Sequence, residues 1–128
     1  MSDSEKSGFI AKVIGPKKRW RAYKARVKEL PESRRTAVEA IERYLMHFVP
    51  TDGDSNASMF EDLADLFEQA AADGTPIREI VGEEPVEFAD AFARNYSEGG
   101  YVPAGAKKQL TEALARAEEA EETTGGTV

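Results

Sequence analysis

Cysteine is absent from this chain of 128 residues, which removes disulfides, zinc-thiolate sites, iron-sulfur clusters and thiol nucleophiles together. Histidine occurs once, at His47, so clustered imidazoles of the zinc or non-haem iron kind cannot be assembled. No apolar run approaches the roughly 20 residues that span a bilayer. The N-terminal "MSDSEKSGFIAKVIGPKKRW" also lacks the apolar centre of ~7–15 residues of a secretory signal, because Lys12 and Gly15 interrupt its only greasy patch. The expectation is a cytoplasmic protein without membrane contact. Equally missing are a G-x-S-x-G turn, a glycine-rich phosphate loop and G-x-G-x-x-G; the glycines stand mostly at element boundaries. The sequence therefore predicts a protein that is not an enzyme and needs no cofactor.

What is present is ordinary for a globular chain, with 41% hydrophobic and 32% charged residues, enough for one continuous core. Apolar side chains recur at helical spacing in successive runs. These are Trp20, Tyr23, Val27 and Leu30; Val38, Ile41, Tyr44, Leu45 and Phe48; Phe60, Leu63, Leu66, Phe67 and Ala70; Phe88, Phe92 and Tyr96; and Leu110, Leu114 and Ala117. Pro16, Pro31, Pro50, Gly74 and Gly82 punctuate them, and Thr75 followed by Pro76 reads as an N-cap with proline at the first helical position. No segment alternates with the period of a strand. The predicted fold is all-α, a compact bundle of about five to six helices with short connections, occupying residues 8–118, with flexible segments at 1–7 and in a C-terminal tail at 119–128.

The net charge of -7 hides a polarity, since basic residues dominate up to Pro50 and acidic ones beyond it. On a helical wheel Lys17, Arg21, Lys24 and Lys28 form a basic strip beside Trp20, Tyr23 and Val27, with Arg19 and Arg26 on the other flank. Nucleic-acid backbones are tracked by such strips, yet Trp20 and Tyr23 lie on the core stripe and the chain as a whole is acidic, which disfavours that reading. The acidic counterpart "EDLADLFEQ" places Asp62 and Asp65, with Glu61 and Glu68, away from its apolar stripe. Opposed surfaces of this kind can join two halves of one molecule, join two copies in a homodimer, or attract an outside anion.

In "PTDGDSNASMFEDL" the alternation of Asp52, Asp54 and Asn56 imitates the opening of a calcium loop. An EF-hand needs glycine at the sixth position and a bidentate glutamate at the twelfth; here these are Ala57 and Leu63. The expected structure is instead a helix start, capped by Ser58 with Glu61 as a capping box or by Asp54 or Ser55 a turn earlier, and no metal is expected. His47, near a helix end, reads as structural, since acid-base work would require a pocket that these residues do not identify.

The segments "GFIAKVIG…KKRWRAYKARVKELP", "AIERYLMHF", "EDLADLFEQAAADGTPIREIVGEEPVEFADAFARNY" and the following "GGY" resemble a small bacterial family labelled domain of unknown function 1048. The likeness runs from about Gly8 to Ala117. It implies a compact all-helical fold, transfers no functional residues, and implies a setting beside PadR-type transcriptional regulators. The leading functional expectation is an accessory protein acting by protein–protein interaction, its partner a transcriptional regulator. Its contacts would be made by Lys17, Arg21, Lys24 and Lys28 on one face and Asp62 and Asp65 on another. Two alternatives remain open. One is a sensor of small apolar ligands with a pocket among Trp20, Tyr23, Tyr44, Phe60, Phe67, Phe88 and Phe92; the other is DNA binding through the basic helix.

Overall fold

The computed structural model of the chain describes the backbone of residues 3–126 and the side chains of residues 17–123. Among the described residues six helices and two short strands follow in the order α1 (Asp3–Lys28), α2 (Glu32–Leu45), β1 (Phe48–Pro50), α3 (Gly53–Asp73), α4 (Ile77–Val81), α5 (Pro85–Ala93), β2 (Ser97–Gly100) and α6 (Ala104–Gly126). The fold is all-α, as the stripes predict. The expected flexible ends, 1–7 and 119–128, fall in large part outside the described side chains, as does the apolar patch before Gly15. Gly15 interrupts α1 with φ 56° and ψ -138°, a left-handed conformation that an L side chain would resist.

The helices pack chiefly in two pairs, α1 along α3 and α2 along α6, with α5 laid against α6. Between them Tyr23, Val27, Val38, Ile41, Leu45, Phe60, Leu63, Phe67 and Leu114 are almost wholly buried, so each predicted stripe contributes to one core. Burying such side chains contributes about 1.5–3 kcal/mol each.

Two stripes are drawn differently from the expectation. Leu66 remains 37% exposed, since it sits on the side of α3 that carries Asp62 and Asp65. On α5 the fully buried residues are Ala89 and Ala93, while Phe88, Phe92 and Tyr96 pack partly buried against the core. The small residues let the α5 backbone approach, and the rings form a column at its flank, with centroids 6.0 and 5.6 Å apart.

The sheet is a second departure from the sequence reading, which placed no strands. β1 pairs antiparallel with β2, Phe48 opposite Gly100 and Pro50 opposite Ser97. Strands of three and four residues are too short to display an alternating pattern, and their prolines and glycines read as helix stops. At Gly100 a Cβ would lie 2.3 Å from the His47 carbonyl oxygen, so only glycine allows this approach.

The helix ends show a further difference. Asp52 is the N-cap of α3, its Oδ1 accepting the Ser55 N–H at 2.7 Å. The expectation of a helix start holds, but the capping residue is none of those predicted. Ser58 and Glu61 turn instead toward Arg19. For α4, Thr75 does not cap; the Ile77 N–H donates 2.9 Å to Glu121 Oε1 of α6. A tertiary neighbour thus supplies what the local sequence was expected to provide.

Candidate functional site: a cleft between α1 and α3

The acidic face recognised in the sequence is met within the molecule by the two arginines that flank the basic strip. Arg19 reaches from α1 to α3, donating from Nε and Nη2 to both Glu61 oxygens at 2.9 and 2.6 Å and from Nη1 to Asp54 at 2.6 Å. Two turns later Arg26 repeats the pattern with Glu68, at 2.9 and 2.7 Å, and with Asp65. These two-pronged contacts raise both guanidinium pKa values, Glu61 being the largest cause for Arg19 and Glu68 for Arg26. Asp62 accepts the hydroxyl hydrogen of Tyr96. Asp62 and Asp65 are therefore engaged intramolecularly, and they lie on a different face from the basic strip.

The strip itself divides. Lys24 Nζ donates to both oxygens of Glu42 at 3.0 and 3.1 Å and lies over the rings of Trp20 and Tyr23, 5.5 and 6.0 Å from their centroids. Glu42 is buried, and it also accepts the Tyr23 hydroxyl at 2.9 Å. Burial, then the charge of Glu42, pushes the Tyr23 pKa up. Lys17, Arg21 and Lys28 are exposed and make no ion pair among the described residues.

Beside Lys17 and Arg21 a cleft of about 470 Å³ opens, lined also by Arg19, Trp20, Tyr23, Met46, Asn56, Ala57 and Phe60. That volume falls in the ~300–1,000 Å³ of small-ligand and side-chain pockets. Trp20 meets Phe60 edge to face, with centroids 5.3 Å apart, and Tyr23 at 5.2 Å. Such ring pairs stabilise the aromatic floor by about 0.5–1.5 kcal/mol beyond the area they bury. Trp20 is only half-buried, so part of its ring faces the cleft, and Met46, 54% exposed, forms the lip. Arg19 contributes a wall whose charge is already committed to α3.

A second cavity, also about 470 Å³, lies among Arg34, Gly74, Pro76, Arg78, Glu118, Glu121 and Glu122. Arg34 pairs through Nη2 with Glu121 at 3.0 Å while its buried Nη1 has no hydrogen-bond partner among the described residues, Arg78 reaches Glu83 and Glu118 at 3.4 and 3.6 Å, and no aromatic ring lines it. It serves as a clasp joining α2, α4 and α6.

Of the six predicted contact residues the structure brings Lys17 and Arg21 to one cleft, sets Lys24 behind its floor, leaves Lys28 further along α1, and places Asp62 and Asp65 elsewhere. The sequence reading missed the wall from α3, Asn56 and Ala57, and the lip at Met46. It also missed two buried charges, Arg34 and Glu42. Both stand four residues from Val38, hence on the apolar stripe of α2, and that phase was the available signal. Among the described residues no group of three or more potential metal ligands gathers. Nor, among the described residues, is any helix long and apolar enough to cross a membrane.

Residues 11–118 match a family described as protein of unknown function (DUF1048), and the chain belongs to that family. No curated protein and no solved structure matches it.

Proposed function

We propose that this DUF1048 member acts by binding a protein partner, with the cleft between α1 and α3 as the contact site and no chemistry performed there. The observation that carries this reading is the cleft's composition. A half-buried Trp20 over an aromatic floor is rimmed by Lys17 and Arg21, two cations that make no ion pair among the described residues of a chain whose net charge is -7. Aromatic residues and arginine in a desolvated pocket are the usual anchors of an interface. The unspent charges would orient an acidic partner and speed its approach. A transcriptional regulator is the partner that the family resemblance implies, and a cytoplasmic setting accords with this role.

A small apolar ligand is the second reading, favoured by the half-buried Trp20 ring that faces the same cleft. DNA binding is less favoured, because Lys24 is spent on Glu42 and the remaining cations are too few for a long phosphate track. The test is purification from the native cell of the chain and of a Lys17→Glu/Arg21→Glu variant. A protein retained by the first and lost from the second supports the reading. Equal retention by both, or none by either, would overturn it.

A further inference from the structure

The walls of the cleft restrict the shape of what can enter it. Both are helices, α1 and α3, whose backbone N–H and C=O groups are bonded along their own axes away from the ends. An extended peptide buried here would leave its main-chain polar groups unpaired, because no sheet edge borders the cleft; β1 and β2 are not among its lining elements. Each such orphan costs about 1–3 kcal/mol. A helix arrives with its backbone already satisfied. Lys17 and Arg21, four residues apart on α1, stand one turn from each other on one face, about 5–6 Å between Cβ atoms. Carboxylates one turn apart on a partner helix have the same spacing.

We infer that the occupant of this cleft is an acidic amphipathic helix, which sets one large apolar side chain on the half-buried ring of Trp20 and two carboxylates, four residues apart, against Lys17 and Arg21. This deepens the reading of the cleft as a partner site and rests on it. Apolar burial anchors the helix, as in other helix-in-groove complexes, while the paired charges set its direction and register. Lys24, drawn back onto Glu42, is not available to a third carboxylate, so a longer acidic row gains nothing further toward α2.

The experiment uses the full chain and synthetic peptides, with Trp20, the single tryptophan, as the fluorescent reporter. One peptide carries a phenylalanine anchor with two glutamates in phase beside it. Isomers of the same composition place the glutamates on the opposite face or move a terminal proline to the centre, where it breaks the helix. The in-phase peptide is expected to change Trp20 fluorescence saturably and to bind about tenfold more tightly than either isomer. A comparable loss, corresponding to about 0.5–1 kcal/mol for each charge contact, is expected in the Lys17→Glu/Arg21→Glu variant. Met46→Glu at the lip should weaken binding too, while far-ultraviolet circular dichroism shows both variants folded. Equal affinity for all three peptides overturns the inference. So does binding of 1-naphthoate or duplex DNA where no peptide binds. If the cellular partner still depends on Lys17 and Arg21 while the peptides show no phase preference, the helical occupant alone is refuted. Loss of both results refutes the cleft as a partner site.

Discussion

Tyr23 of α1 donates its hydroxyl to Glu42 of α2 across 2.9 Å, inside the protein and directly behind the cleft floor. The same carboxylate receives Lys24, so one buried negative charge is held by a neutral donor and a cation from successive residues. The arrangement locks the orientation of Trp20, over which Lys24 lies.

Removal of one member leaves the others exposed to the cost of burial. Tyr23→Phe is expected to destabilise the fold by about 1–2 kcal/mol in urea denaturation, and Glu42→Leu by about 1–3 kcal/mol, because it strands both Tyr23 and Lys24. A neutral effect of Glu42→Leu would show that the buried carboxylate costs as much as its bonds return.

Alkaline pH acts on the same pair. Burial raises the pKa of Tyr23 and Tyr44, and that of Tyr96 to about 12. Because the folded values lie above the unfolded tyrosine value of about 10, this stabilisation is complete below about pH 10 and is lost as pH rises toward the folded pKa values. Unfolding followed against pH should therefore show a decline beginning near pH 10, with a smaller decline in Tyr23→Phe. Tyrosinate absorbance in the folded state that completes its rise by pH 10 would contradict this.

Arg34, 9% exposed at its side chain, holds Thr75 O at 2.5 Å and Glu121 at 3.0 Å. Arg34→Met is expected to cost about 1–3 kcal/mol. Both contacts come from Nη2 alone, yet Arg34→Lys should recover less than half of this, because an ammonium is more strongly hydrated than a guanidinium and costs more to bury. Full recovery by lysine, measured by denaturant midpoint, would show that charge alone suffices.

Asp52 caps α3, and the bond from the Ser55 N–H lowers its pKa. Its contribution is present above the usual aspartate value and is lost as pH falls through the depressed one. Asp52→Ala should lower the thermal midpoint at neutral pH, and Asp52→Ser should restore most of it. Millimolar calcium should leave the midpoint of the unaltered chain unchanged. Saturable calcium shifts at Asp52, Asp54 and Asn56 in NMR spectra would reverse the reading of this loop as a cap.

Gly100→Ala tests the strand pair. The added Cβ would lie 2.3 Å from His47 O and 2.7 Å from Phe48 Cα, both backbone atoms that cannot turn aside. A loss of about 1–3 kcal/mol is expected, with the amide resonances of Val49 and Glu98 shifted. An unchanged stability would mean that β1 and β2 separate at little cost.

Legibility followed the range of the forces involved. The stripe from Tyr23 through Val27 to Leu30 and that from Val38 to Leu45 are local patterns, and each found its place in the core. Leu66 did not, because helical periodicity cannot say where a stripe ends. The buried partners of Glu42 lie 18 and 19 residues away in the chain, and nothing local to α2 names them.

The order of amphipathic runs and breakers by itself determined that this chain becomes a set of helices with one shared interior, since burial of periodic apolar faces needs no knowledge of neighbours. Which charges would be consumed was decided only on assembly. Among the described residues Arg19, Arg26 and Lys24 met carboxylates from other helices, and Lys17 and Arg21 did not. Charge pairing depends on distances across the fold, and those are set by packing rather than by position along the chain.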